Sequence, residues 1–87
     1  GKLLEVFLKA YGVEDIYYEK YLISAWPTWM PKHIADRTQK LYVKNKILCV
    51  KISSAPLKQE LTMQKTKLLR QIRDSIPQAG IKNLQIL

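Results

Sequence analysis

The side chains of this chain that could do chemistry are overwhelmingly cationic, and they are unevenly placed. Of its fifteen Lys and Arg, twelve follow Pro31, where they face only Asp36, Glu60 and Asp74. The stretch before Lys32 instead holds Lys2, Lys9 and Lys20 against Glu5, Glu14, Asp15 and Glu19. A field this lopsided points to an anionic partner for the C-terminal two-thirds: nucleic acid, as single-stranded or duplex DNA or as RNA. A membrane surface fits less well, because no basic amphipathic helix with large apolar anchors stands out. Lys58, Lys65 and Arg73 fall within roughly 80° of one another on a helical wheel, a row able to follow a phosphate backbone. Arg37, Lys40, Lys44 and Lys46 form a second group, to which Lys51 adds charge. Tyr42, lying among them, could stack on a base, although a strand tyrosine more often packs. The bland reading of any one of these cations is a solvated surface charge.

Catalytic chemistry is poorly served. His33 is the sole histidine and Cys49 the sole cysteine, so no metal-ligand set, internal disulfide or nucleophile–base pair suggests itself. The acids are too sparse for paired-carboxylate work, and no glycine loop is available to cradle phosphate. The expectation is a binding protein without a cofactor or a metal.

These side chains must be positioned by the elements around them. Leu3, Leu4, Phe7 and Leu8 recur at helical spacing, with Gly12 as a C-terminal stop. A second helix starts near Glu14 and Asp15, carries Ile16, Tyr17, Tyr21, Leu22 and Ala25 toward Trp26, and is expected to end at Pro27. Trp26 reads as core and Trp29 as exposed. Pro31 opens a short turn through Ile34. The period then falls to two: Leu41 and Val43, then Leu48, Val50 and Ile52, make two strands joined at Asn45 and Lys46. The same alternation sends Cys49 to the less covered sheet face, as a bystander. Ser53 and Ser54 before Ala55 and Pro56 read as the start of one long helix, whose stripe of Leu57, Leu61, Leu68 and Ile72 spans about 60°. Pro77 and Gly80 stop it, and Ile81, Leu84 and Ile86 form a last strand. The fold class is therefore α+β, in the order α-α-β-β-α-β, with helices on one face of a three-stranded sheet. One domain covers residues 2–87, Gly1 being set aside as a remnant of expression. With hydrophobic residues at 47% and no long apolar run, the expected setting is cytoplasmic, away from the membrane.

From Trp26 onward the chain resembles the DciA-type family of bacterial replicative-helicase loaders. The resemblance rests on Trp26, Ile34 with Ala35 and Thr38, Leu48 with Val50, Ser53-Ser54-Ala55, Glu60 with Leu61, and Leu68 with Leu69. Ile81 and Ile86 extend it to the C-terminus, and Phe7, Leu8 and Gly12 to the lead-in. Departures occur at Met30 in place of a loop glycine, at Arg37 in place of a histidine, and at Lys58-Gln59 in place of an arginine before the Glu-Leu pair. The resemblance implies a K-homology-like fold, DNA binding and assistance to the replicative helicase. The phosphate-clamping glycine-x-x-glycine loop of K-homology domains is absent. The reading is a nucleic-acid-binding accessory protein of bacterial DNA replication. Its alternative is an adaptor that docks on an acidic protein surface without nucleic acid.

Overall fold

The computed structural model describes residues 2–87. The first helix, α1 (Lys2–Tyr11), ends where Gly12 takes a left-handed φ of 66°. That turn lets Gly12 N donate to Lys9 O at 3.2 Å and Val13 N donate to Leu8 O at 3.1 Å, the paired bonds of a Schellman stop. Leu8 is the one residue of α1 that is fully buried.

The second helix, α2 (Glu14–Trp29), runs through Pro27, where the sequence predicted an end. Proline removes one N–H and crowds the preceding turn, but only two residues of the helix follow it, so little of the ladder is lost. The turn beyond is held from both sides: Met30 N donates to Trp26 O at 3.0 Å, and Leu22, Trp26 and Met30, spaced by four, are all buried. Trp29, expected to be exposed, is half-buried against the core. After Pro31 a single turn, α3 (Lys32–Ala35), buries Ile34.

Strands β1 (Thr38–Lys44) and β2 (Ile47–Ile52) form the expected antiparallel hairpin. Both turn residues, Asn45 and Lys46, have positive φ (53° and 65°), the backbone of a tight two-residue hairpin turn. Lysine is an unusual occupant of that conformation, which costs a non-glycine residue about 1–2 kcal/mol. Its backbone is held there by Lys82 N, which donates to Lys46 O at 2.8 Å.

Ser54 caps the next helix, its Oγ accepting from Leu57 N at 3.4 Å, with Pro56 in the first turn. The single long helix expected here is two: α4 (Ala55–Met63) and α5 (Lys65–Ser75), separated at Gln64, whose ψ of 7° leaves the helical range. The apolar stripe explains the break. Between Leu61 and Leu68 the stripe positions are Gln64 and Lys65, both polar, so a straight helix has nothing to bury in its middle turn. A 3-10 turn at Pro77–Ala79 and a left-handed Gly80 (φ 63°) redirect the chain into β3 (Asn83–Ile86).

β3 pairs parallel with β2, so the sheet order is β1-β2-β3. Leu48, Val50, Ile52 and Leu84 meet Leu61, Leu68 and Ile72 in one core, with Leu22, Trp26 and Ile34 from the N-terminal helices. Leu57, expected inside, is only half-buried at its margin. This is a mixed α+β fold with the predicted strand and helix layout, the long helix and the Pro27 boundary excepted.

Candidate nucleic-acid interface

Strand alternation divides the sheet into two unlike faces. Leu41, Val43, Leu48, Val50, Ile52, Leu84 and Ile86 point to the core, which turns Lys40, Tyr42, Lys44, Cys49, Lys51 and Gln85 to the opposite face. The register sets Lys40 directly opposite Lys51 and Tyr42 opposite Cys49, which is in turn opposite Gln85. Lys40, Lys44 and Lys51 are exposed, and none takes part in an ion pair among the described residues. Like charges directly across a ladder destabilise it, by a few tenths to about 1 kcal/mol. Lys40 and Lys51 therefore sit together without a structural benefit from their charge.

Tyr42 lies between these lysines, 40% exposed. Its hydroxyl is raised above the usual tyrosine range, chiefly by the neighbouring Cys49 and then by desolvation. The ring is a neutral phenol at physiological pH. Cys49 is on this face as expected but is buried rather than open, its thiol donating to Ile47 O at 3.7 Å and lying 3.9 Å from Gln85 Oε1.

The helix that carries the candidate cations is interrupted at Gln64. Lys58 is exposed on α4, while Lys65 opens α5 on the far side of the break at Gln64. Lys65 and Arg73 line a shallow groove beside β3 together with Arg70 and Asn83. Arg73 is also committed within the fold: its Nε donates to Ile81 O at 3.0 Å and its Nη2 to Lys82 O at 2.6 Å, pinning the segment that enters β3.

Across nearly its whole length, residues 1–86, the chain matches the family model described as Dna[CI] antecedent, DciA. The chain belongs to the DciA family. No curated protein and no solved structure matches it. The DciA family implies a replicative-helicase loader role in bacterial DNA replication. No helix among the described residues is long and apolar enough to cross a membrane.

Several motif positions of the DciA resemblance have visible physical roles here. Trp26 and Thr38 are hydrogen-bonded to each other, and Ser54 is a helix cap. Met30, standing where a glycine was expected, has ordinary extended backbone (φ −92°, ψ 147°) and a buried side chain, so the position makes no demand for glycine. Arg37 is exposed, and its carbonyl accepts from Ser53 N at 3.1 Å where β1 begins beside the end of β2.

Lys46 is the candidate that the fold occupies most fully. Its Nζ lies 3.1 Å from Asp15 Oδ1 and 3.6 Å from Glu19 Oε2, and donates to Ala79 O at 3.4 Å. It ties the hairpin tip to α2 and to the turn before β3, with its charge already matched. Lys51 joins the open sheet face by the alternation alone: Val50 and Ile52 point inward, so Lys51 shares a face with Lys40, Tyr42 and Lys44.

Proposed function

We propose that this DciA-family protein binds DNA through the open face of its sheet and does so as an accessory of the replicative helicase. Lys40, Lys44 and Lys51, with Arg37 beside them, contact phosphates, and Tyr42 stacks on an unpaired base, which favours single strands over duplex. The observation that carries the reading is the directly opposed, unneutralised pair Lys40 and Lys51. A phosphate between them turns a repulsion into two charge-assisted contacts. Lys58 and Lys65 supply a secondary basic surface, whereas Lys46 and Arg73 act mainly in holding the fold.

Anisotropy of a labelled oligothymidylate, titrated with protein over a salt series, tests this. The expected slope of log affinity against log salt is roughly −3 for four phosphate contacts on a single strand. Lys40→Glu with Lys51→Glu abolishes binding, while Lys58→Glu with Lys65→Glu weakens it modestly. Loss confined to the helix pair would move the site to the groove beside β3. No salt-dependent binding by the unaltered chain, together with co-purification of the helicase, would establish the adaptor reading instead.

A further inference from the structure

A second feature lies away from the sheet face, in the acidic first third. The junction of α1, α2 and the end of α5 encloses a recess lined by Leu4, Glu5, Tyr17, Tyr18, Tyr21 and Ile76. Tyr17 and Tyr18 meet edge-to-face, with ring centroids 5.0 Å apart and planes at 86°, and Tyr21 is 54% exposed one turn further along α2. Glu14 stands one turn before Tyr17 and Tyr18 on α2, at i+3 and i+4 spacing, and the Tyr18 hydroxyl is raised above the ordinary range first by desolvation and then by Glu5, Tyr17 and Glu14. No Lys or Arg lines the recess.

The use made of the neighbouring acids is informative. In a protein of net charge +8, Asp15 and Glu19 share Lys46, and Glu60 lies 3.5 Å from His33 Nε2. Glu5 and Glu14, like Asp36 and Asp74, have no ion-pair partner among the described residues, and of these four Glu5 lines the tyrosine recess. Tyrosine faces beside free carboxylates make a cage for an organic cation, since ring quadrupole and carboxylate attract the same charge. The rest of the surface repels such a ligand, which confines its binding to this place.

We infer that the recess of Tyr17, Tyr18 and Tyr21 with Glu5 and Glu14 binds an arginine side chain presented by a basic segment of a partner protein. A guanidinium stacks on a tyrosine face while its N–H groups reach a carboxylate, which a compact ammonium does less well. The inference does not depend on the nucleic-acid reading, because its residues and its charge sign are different.

Blocked arginine (N-acetyl-arginine methylamide) titrated into the isotope-labelled full chain is the test, with blocked citrulline as the neutral isostere. Arginine is expected to bind in roughly the millimolar range and to shift the amides of Glu5, Tyr17, Tyr18 and Tyr21. Citrulline should bind at least about tenfold more weakly, and Glu5→Gln with Glu14→Gln should cost about tenfold for arginine alone. Both carboxylates are in the first turns of their helices, where an exposed acid contributes about 0.3–1 kcal/mol, so the double variant is expected to retain the fold, and its amide spectrum checks this. Equal binding of citrulline and arginine, shifts elsewhere on the molecule, or a self-association that the double variant abolishes would each overturn the inference, the last by making a second copy the occupant.

Discussion

Trp26 donates its indole N–H to the hydroxyl of Thr38 at 3.1 Å, and Thr38 donates in turn to the carbonyl of Ile34 at 2.9 Å. This relay joins α2, α3 and the first residue of β1, and it satisfies the only polar atom of a side chain that is 1% exposed. Thr38→Val keeps the shape of the side chain but strands the indole N–H. A loss of about 1–3 kcal/mol in urea unfolding is expected, the desolvation cost of an unpaired buried donor. Trp26→Phe in the Thr38→Val background should cost less than Trp26→Phe alone, since the donor has then lost its partner already.

Lys46 and Lys40 separate structural charge from binding charge within one hairpin. Lys46→Gln leaves the hairpin tip without its ties to Asp15 and Glu19, and a loss of about 0.5–1.5 kcal/mol in stability is expected because both pairs are partly exposed. The salt slope of oligothymidylate binding should not change. Lys40→Gln should do the reverse, leaving stability intact or slightly raised and flattening the slope by about 0.7. If both variants flatten the slope equally, net charge rather than a placed surface governs binding.

Opposed lysines also predict a trade between stability and function. Lys40→Thr with Lys51→Thr replaces a repulsive cross-strand pair by one that favours strands, so the thermal midpoint should rise, by the equivalent of about 0.2–1 kcal/mol. The same protein should have lost its affinity for single-stranded DNA. A double variant that is both less stable and fully active would refute the role given to this pair.

The parts of the fold legible in the sequence were those where one local rule acts alone. Alternation from Leu41 to Ile52 marks the hairpin, Gly12 and Ser54 mark a helix stop and a helix cap, and Leu84 with Ile86 marks the last strand, which begins at Asn83 and leaves Ile81 buried just before it. The reading went astray where a local signal competed with packing. At Pro27 the signal to stop lost to the burial of Trp26 and Met30, because the damage falls so near the helix end. At Gln64 the stripe's four leucine and isoleucine positions agreed in angle while its middle turn held nothing apolar, and angle alone does not report that gap. The candidate cations were found by counting charge, which cannot separate Lys46, matched by acids that approach only in three dimensions, from Lys51, which nothing neutralises.

The stripe along α4 and α5 makes the last prediction, since Leu57, in the first turn of α4, lies at the edge of the core that Leu61 and Leu68 fill. Here Leu61 and Leu68 are 1% and 6% exposed and central, whereas Leu57 is half-buried at the margin. Leu61→Ala and Leu68→Ala should each cost about 2–5 kcal/mol, a large part of the stability of a domain this small. Leu57→Ala should cost less than about 1.5 kcal/mol, because its surroundings can relax and solvent already reaches part of the side chain. Urea titration of the three variants reads this directly. Equal losses at all three positions would contradict the marginal place of Leu57 in the core.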